Sequence, residues 1–300
     1  EIINDISDQK AANLIKEKEI DIIIDLSGLT GNSRVGILSY QACPIQINYL
    51  GFPGTMGAKF INYLIADEVV IPKENLKYYS EKVVYLPNCY QANMKQRKIS
   101  DRALERKDFG LPDNGVVFCS FNNNYKITPY IFDSWMKILN EVENSVLWIL
   151  KSNDKAVRNL KEEAKKRGVN DNRIIIASFM PNDEHLKRIT LADIFLDTFP
   201  YNAHTTASDA VRMGVPIITL TGNSFHSRVG ASILKTINME DLITYKKKDY
   251  EDLAIELGSK PEKLTKYKNQ LREAVVKSPL FDSVLFTKNL EELYLKLLNN

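Results

Sequence analysis

The sequence of 300 residues has little cysteine and no long apolar segment, and both absences narrow what the protein can be. Its three cysteines, Cys43, Cys89 and Cys119, are odd in number and widely spaced, which argues against a disulfide framework and against a zinc site. We expect reduced, buried thiols in a cytoplasmic protein. No apolar run approaches the ~20 residues that a membrane-spanning helix needs, so we expect no association with a membrane.

The sequence also has no large excess of positive or negative charge. The 40 Lys and Arg residues nearly balance the 38 Asp and Glu residues, which gives a net charge of +2. Because the lysines are spread along the chain rather than gathered in a stripe, we expect no nucleic-acid partner. The chain opens with Glu1, without a methionine or a secretory signal, so we expect it to be part of a longer protein.

Several common catalytic motifs are missing as well. There is no Walker A sequence, no H-E-x-x-H and no G-x-S-x-G, and residues 28–32 do not form a G-x-G-x-x-G fingerprint, which counts against a simple dehydrogenase. No Asp-x-Asp pair lies in a turn after a strand, where it could hold a metal against a diphosphate; Asp193 and Asp197 are separated by a strand and point differently. A diphosphate bound here would therefore need a lysine and helix N–H groups in place of a metal.

Strands and helices alternate along the chain, which is the pattern of parallel sheets with crossover helices. In the first half, strands are predicted at residues 20–26, 45–50, 63–66 and 83–86, and a helix at 34–41. In the second half, strands are predicted at residues 116–120, 146–150, 173–177, 194–196 and 215–220. Helices there are predicted at residues 129–139, 156–167, 183–190, 205–212, 228–235 and 250–258.

This alternation predicts a two-lobed, doubly wound α/β protein. Residues 1–108 would form a first lobe with a polar connection, and residues 109–275 a second lobe. Residues 276–300 would form a helical tail whose amphipathic stretch, 288–298, packs back on the lobes. Ligands in such folds bind outside the carboxyl ends of the parallel strands, so the turns that follow strands matter most for function.

The most informative turn, residues 197–209, follows a predicted strand and leads into a helix. Small and hydroxyl-bearing residues at a helix start leave backbone N–H groups free to face an anion, and Thr205 and Thr206 could add hydroxyl donors. His204 could orient a sugar or a phosphate. An equally good interpretation is that Thr205 and Asp209 serve only the helix, as an N-cap and a first-turn acid.

Two further turns follow predicted strands. Residues 120–128 contain Lys126 beside a helix start, where it could neutralise a leaving diphosphate as a point charge, or simply lie on the surface of an Asn-rich loop. Residues 50–57 contain three glycines, which permit close approach of the backbone to a ligand but are equally expected in a structural loop. Spacing alone leaves both alternatives open for each turn.

These turns occur in an order found in one known family, and other short segments share its sequence. The matching segments are residues 25–30, 43–46, 50–55, 79–82, 121–127, 144–150, 172–175, 183–185, 196–198, 202–206, 227–229 and 278–281. Among them are Phe-Asn-Asn-Asn-Tyr-Lys-Ile at 121–127 and Asn-Ala-His-Thr-Thr at 202–206. Over nearly its whole length the chain resembles the catalytic region of the protein O-GlcNAc transferase family, glycosyltransferase family 41, in its bacterial form.

The resemblance implies a GT-B fold, with two Rossmann-like lobes, the N-terminal one incomplete, and the donor bound mainly by the C-terminal one. It implies inverting transfer of N-acetylglucosamine from UDP-GlcNAc to Ser and Thr hydroxyls of an acceptor protein, without a metal or other cofactor. Family members also carry tetratricopeptide repeats and a His-containing motif near the acceptor hydroxyl. We expect both to lie upstream of this chain, which starts partway into the first lobe.

The same resemblance implies roles for individual residues. Lys126 and His204 would be the catalytic residues, with Lys126 against the leaving UDP diphosphate. The others would bind the donor: Asn123, Thr205 and Thr206 near the diphosphate, His185 and the backbone of Met180 at the uridine, Asp209 at the ribose, and Leu50, Gly51 and Pro53 with His204 around the sugar.

The sequence also departs from the family and leaves other donors open. Asn182 stands where the family often has a lysine that contacts the nucleotide, in the turn before the helix of His185. Transfer of fucose from GDP-fucose, as in Spindly-like relatives, is a related alternative, although those relatives tend to have threonine at the position of His204. Transfer from UDP-glucose and a non-catalytic protein that binds nucleotide sugars are further alternatives.

Overall fold

A computed structural model of the chain, which describes residues 3–299, divides into two compact units. Residues up to Ala92 group with those from Asp282 onward, and residues from Asn93 to Phe281 form the second unit. These bounds differ from the predicted ones chiefly because residues 93–108 contact the second unit. For example, Arg106 Nη2 in that segment lies 2.7 Å from Asp193 Oδ2.

The first unit is built on a four-stranded parallel sheet. Its strands are β1 (Ile22–Asp25), β2 (Ile45–Asn48), β3 (Tyr63–Ala66) and β4 (Lys82–Tyr85), which lie side by side in chain order. A helix that the sequence pattern does not predict, α1 (Asp8–Glu17), packs Ala11 and Ala12 against Ile37. The helix predicted at residues 34–41 is a 3₁₀-helix, Val35–Tyr40.

The second unit is built on a six-stranded parallel sheet. Its strands are β5 (Val117–Ser120), β6 (Val146–Leu150), β7 (Ile174–Ala177), β8 (Ile194–Leu196), β9 (Ile217–Leu220) and β10 (Ile243–Thr244). Its helices are α2 (Pro129–Glu141), α3 (Asp154–Lys166), α4 (Asn182–Ile189), α5 (Thr205–Arg212), α6 (Val229–Thr236), α7 (Lys247–Ser259) and α8 (Pro261–Lys277). The last helix, α9 (Ser283–Leu298), belongs to the first unit. The sequence pattern does not predict β10 and α8.

The order of strands in the larger sheet places one crevice at its centre. The strands lie in the order β10-β9-β8-β5-β6-β7, and every pair is parallel. From β5 the chain moves outward through β6 to β7, and then returns to β8 on the other side of β5. The order therefore reverses between β5 and β8, and ligands bind at such a switch point outside the carboxyl ends of the strands.

Two sequence predictions concern the cysteines and the membrane. None of the three cysteines, all within residues 3–299, forms a disulfide; Cys89 and Cys119 are buried as predicted, and Cys43 is only partly buried. Burial raises the pKa of the Cys119 thiol well above its usual value. Between residues 3 and 299, no helix is both long enough and apolar enough to cross a membrane.

Buried hydrogen bonds fix the carboxyl end of β8. Trp135 Nε1 on α2 donates to the Tyr250 hydroxyl on α7 at 3.0 Å, and that hydroxyl donates to the Asp197 carbonyl at 3.0 Å. Gly230 on α6 lies so close to the same region that a Cβ there would meet Thr219 Oγ1 at 2.5 Å and Asp197 Oδ2 at 2.6 Å. Close approach of α6 therefore requires glycine at position 230.

We predict that Gly230→Ala destabilises the protein by about 1–3 kcal/mol, because the added methyl group would displace buried, hydrogen-bonded oxygens. The free energy of unfolding in urea would measure the change. Gly31→Ala is the control, since nothing lies within 4 Å of a Cβ at Gly31, and its effect should stay within about 0.5 kcal/mol. Equal stability of the Gly230→Ala protein and the wild type would contradict the packing described for α6.

Candidate functional site

Three turns meet at the switch point between β5 and β8. The turn after β5 carries Lys126, the turn after β8 carries His204, and the loop after β9 carries His226. Because β8 pairs in parallel with both β5 and β9, these turns lie next to one another at one edge of the sheet. The structure thus brings Lys126 and His204 together in one cluster.

The turn after β8 is held by the buried carboxylate of Asp197. Its Oδ1 accepts hydrogen bonds from the backbone N–H of Thr198 at 2.8 Å and of Ala203 at 2.6 Å, which closes the turn. Its Oδ2 accepts the hydroxyl of Thr219 on β9 at 2.7 Å. Burial raises the pKa of Asp197 to about 6, although these three bonds and the charge of Lys126 oppose the rise. The carboxylate is therefore mostly ionised at pH 7.

Lys126 ends a short 3₁₀-helix, Asn124–Lys126, whose N-cap is the exposed Asn123. Its Nζ donates to the Asn202 carbonyl at 2.8 Å and lies 4.2 Å from the centre of the Tyr201 ring. Burial lowers the pKa of Lys126 to about 8, and the charge of Asp197 opposes the fall. Lys126 is therefore a partly desolvated cation at neutral pH, unlike a lysine on the surface of a loop, and an anion nearby would stabilise it.

Tyr201 lies between two histidines in the same cluster. Its ring is stacked on His204 and on His226, each at 5.0 Å between ring centres, with interplanar angles of 25° and 21°. Burial and the charge of Lys126 lower the pKa of His204 to about 3 and also lower the pKa of His226. Both imidazoles are therefore neutral at pH 7. His204 Nε2 is buried without a hydrogen-bond partner among residues 3–299, so it can accept a hydrogen bond from a ligand.

The two threonines at the start of α5 differ in their surroundings. Thr205 is exposed, whereas Thr206 Oγ1 donates to Oδ1 of the buried Asn122 at 2.8 Å.

The start of α5 has no side-chain cap. His204 occupies the N-cap position without capping the helix, and the first turn of α5 has no acidic residue. The interpretation of Thr205 as an N-cap and Asp209 as a first-turn acid is therefore wrong. The first N–H groups of α5 have no intrahelical acceptor and can face a ligand.

The residues predicted to bind the nucleoside are Met180 in the turn after β7, His185 on α4 and Asp209 on α5. His185 Nδ1 on α4 accepts a hydrogen bond from Arg188 Nε at 2.9 Å, so the neutral ring carries its proton on Nε2. Burial, followed by the charge of Arg188, lowers the pKa of His185 to about 4. Its ring packs edge-on against Phe121 at 5.3 Å between centres, and Met180 is partly buried in the turn before α4.

Asp209 on α5 is paired with a cation that the sequence pattern does not reveal. The residue is 6% exposed, and its Oδ1 is bonded to Arg97 Nη1. The other nitrogen of that guanidinium, Nη2, donates to Asn182 Oδ1 at 2.9 Å. Arg97 lies in the polar segment that the sequence predicts to be a connection between lobes. The Arg97 guanidinium therefore places a positive charge beside the neutral side chain of Asn182.

Four residues of the cluster and its surroundings are absent from the sequence predictions: Arg97, Arg188, Tyr201 and His226. Tyr201 lies within the turn at residues 197–209, and Arg188 follows His185 by one helical turn, so attention to those neighbours could have found them. No motif marks Arg97 or His226, because each reaches the site from a distant segment.

Leu50, Gly51 and Pro53, the remaining predicted residues, lie in the first unit, in the turn after β2. Leu50 has a φ of 73°, and Pro53 is buried. A Cβ at Gly51 would meet the Leu26 carbonyl oxygen at 1.9 Å, so packing alone requires glycine here. These residues belong to a different unit from Lys126 and His204, and their role at a sugar stays a prediction.

The groups around Lys126 fit a diphosphate. The ammonium of Lys126, the hydroxyl of Thr205 and the uncapped start of α5 supply positive charge and hydrogen-bond donors. For the part of the chain from residue 3 to residue 299, no group of three His, Cys, Asp or Glu side chains is placed to hold a metal ion.

Comparison with known proteins identifies the family. The model of glycosyl transferase family 41 matches residues 3–103 and 92–290. The probable UDP-N-acetylglucosamine–peptide N-acetylglucosaminyltransferase SEC of Arabidopsis thaliana is 37% identical over 99% of this chain and 31% of its own length. The SPINDLY protein of Petunia hybrida, which carries the same description, is 33% identical over 96% of this chain and 31% of its own length.

A solved structure shows the same fold over both units. A mutant of the O-GlcNAc transferase of Thermobaculum terrenum matches with a TM-score of 0.87 and 27% identity, over 98% of this chain and 56% of that one. The fold is therefore GT-B, as the resemblance implies. The chain spans 31% of the length of the two curated relatives above. Within that span, both its sequence and its structure show that the chain belongs to glycosyltransferase family 41.

Proposed function

We propose that the chain carries the donor site of an enzyme that transfers N-acetylglucosamine from UDP-GlcNAc to Ser and Thr hydroxyls of proteins. The observation that carries the proposal is the position of Lys126, whose ammonium lies at the Asn202 carbonyl and the Tyr201 ring, next to the start of α5. A cation beside a helix start suits a diphosphate. The names of the relatives supply the sugar and the protein acceptor.

In this reaction a bond forms between the acceptor oxygen and C1 of the sugar, and the bond from C1 to the β-phosphate oxygen breaks with inversion. UDP leaves with the electron pair of that bond, and the acceptor hydroxyl gives its proton to a general base. Lys126 and the N–H groups at the start of α5 stabilise the charge that develops on the diphosphate. Because they supply this positive charge, we propose that transfer requires no metal.

His204 suits sugar binding better than proton transfer. With a pKa of about 3, its imidazole is too weak a base to hold a proton from the acceptor near neutral pH. Its unpartnered Nε2 can instead accept a hydrogen bond from a sugar hydroxyl or from the amide N–H of the acetamido group. In this proposal His204 contributes to catalysis by orienting the sugar. Sugar binding by Leu50, Gly51 and Pro53 is a separate part of the proposal, which the resemblance implies.

The nucleoside would be bound by the residues on α4 and α5. The His185 ring, held neutral with its proton on Nε2 by the bond from Arg188, offers a flat face to the uracil. The backbone of Met180 would contact the base edge, and Asp209 would accept a hydrogen bond from the ribose. Upstream tetratricopeptide repeats and a cytoplasmic location belong to the same proposal, supported by the resemblance and by cysteines that form no disulfide in residues 3–299.

The direct test measures sugar transfer from three labelled donors, UDP-GlcNAc, UDP-glucose and GDP-fucose, to a protein acceptor, with and without EDTA. The full-length protein is used beside this chain, because the relatives are longer. We expect acceptor labelling from UDP-GlcNAc that EDTA does not reduce and that β-elimination releases. Labelling from another donor would replace the proposed sugar, and UDP binding without transfer from any donor would indicate a non-catalytic nucleotide-binding protein.

We predict that Lys126→Ala lowers the rate of transfer by roughly 100- to 1,000-fold, the usual cost of removing a group that stabilises transition-state charge. Lys155→Ala, which removes an exposed lysine on α3, should leave the rate unchanged. Initial rates and thermal unfolding would be measured for both variants. A Lys126→Ala protein that is folded and fully active would remove Lys126 from the mechanism.

We also predict proton uptake when UDP binds. The pKa of Lys126 is about 8 without ligand, and a diphosphate beside it would raise that pKa. The affinity for UDP should therefore be highest below pH 8. It should fall by up to roughly tenfold per pH unit as the pH rises through the raised pKa. Calorimetry at pH 8.5 in buffers of different ionisation enthalpy would measure the uptake, which Lys126→Met should abolish. Uptake that persists in that variant would assign the proton to another group.

A further inference from the structure

Arg97 contacts both helices that carry the proposed nucleoside pocket, although it belongs to neither. Its Nη1 is bonded to Asp209 Oδ1 on α5, and its Nη2 lies 2.9 Å from Oδ1 of Asn182, the first residue of α4. The Arg97 side chain is only 17% exposed. One guanidinium therefore joins the start of the helix of His185 to the carboxylate on α5.

The backbone on both sides of Arg97 is attached to the same two helices. On one side, the Arg212 guanidinium on α5 donates to the carbonyls of residues 94–95. On the other side, Ser100 N donates to the Asp183 carbonyl on α4 at 3.2 Å. The segment thus crosses from α5 to α4 with Arg97 between its two attachments. These attachments restrict the positions that the guanidinium can take, which distinguishes the pair from a surface ion pair between mobile side chains.

The pair leaves half of the Asp209 carboxylate open. Oδ1 accepts from Arg97, whereas Oδ2 has no hydrogen-bond donor in the described part of the chain, residues 3–299. Burial raises the pKa of Asp209, and the charge of Arg97, followed by that of Arg212, opposes the rise. Arg97 and Arg212 are the charged groups that face Asp209. Arg97 therefore favours an ionised carboxylate with one oxygen free to accept a hydrogen bond.

We propose that Arg97 is a positioning residue for nucleotide binding: by holding Asp209 Oδ1 and Asn182 together, it turns Asp209 Oδ2 toward a ribose hydroxyl. The assignment rests on the proposed function, in which Asp209 meets the ribose. A planar guanidinium can hold two oxygens in fixed directions at once, which a lysine ammonium on a flexible chain does not do as well. Arg97 acts through Asp209 and does not itself contact the nucleotide.

The test compares UDP with 2′,3′-dideoxy-UDP, which lacks the ribose hydroxyls, by calorimetry on the full chain. Arg97→Ala should weaken UDP binding by about tenfold or more, the usual effect of losing a hydrogen bond that involves a charged group. It should weaken dideoxy-UDP binding much less, because the Asp209 acceptor then has no hydroxyl to meet. Asp209→Asn should show the same selectivity, and the double variant should bind UDP no worse than Asp209→Asn alone.

Arg102→Ala is the matched control, since Arg102 lies in the same segment and pairs with Glu184 on α4 at 3.3 Å. It should bind both nucleotides like the wild type. If Arg97→Ala does not fold, Arg97→Lys serves in its place and should lose UDP affinity more than dideoxy-UDP affinity.

Equal weakening of both nucleotides in the Arg97 variants would show a purely structural role and overturn the proposal. Unchanged UDP affinity in Arg97→Ala, together with weak binding by Asp209→Asn, would also overturn it while leaving the proposed function intact. A wild-type chain that binds no UDP would instead refute the proposed function, and the assignment of Arg97 with it.

Discussion

The buried carboxylate of Asp197 is the constraint on which the rest of the site depends. One of its oxygens binds the N–H groups of Thr198 and Ala203, at the two ends of the turn after β8, and the other binds Thr219 on the next strand. These bonds fix the Asn202 carbonyl where Lys126 Nζ can donate to it. They also set where α5 begins. A single acidic side chain, placed at the point where the strand order reverses, thereby shapes both the turn and the cation beside it.

The charges of Asp197 and Lys126 do not fully compensate for the burial of these two side chains. Burial raises the pKa of Asp197 and lowers the pKa of Lys126, and each charge only partly offsets the desolvation of the other. Lys126 bonds a neutral carbonyl and faces an aromatic ring, neither of which carries a full negative charge. The two histidines stacked on Tyr201 are neutral and add no positive charge. An anionic ligand beside Lys126 would stabilise its charged form further.

The sequence predicts the elements with strong local patterns and misses those that depend on tertiary contacts. The predicted bounds of β3, β6, β8 and α5 match the structure, because apolar runs and turn residues mark them. α8 is missed although Leu264, Tyr267 and Leu271 are spaced for one buried helix face, and its many charges conceal that spacing. The two residues of β10 are too few for any periodicity. Arg97 lies 112 positions from Asp209, so only the folded chain could reveal their pairing.

Lys126 can accept a diphosphate without losing its present contacts. An ammonium has three N–H donors, and in the described chain, residues 3–299, Lys126 gives one hydrogen bond, to the Asn202 carbonyl. The other two donors remain for phosphate oxygens, while the carbonyl and the Tyr201 ring keep Nζ in place. A cation fixed before the ligand arrives needs little reorganisation when charge moves onto the leaving group, and such preorganisation is a main source of catalytic stabilisation. Because Asn202 is itself held by the turn that Asp197 closes, the position of the Lys126 ammonium depends on a buried carboxylate.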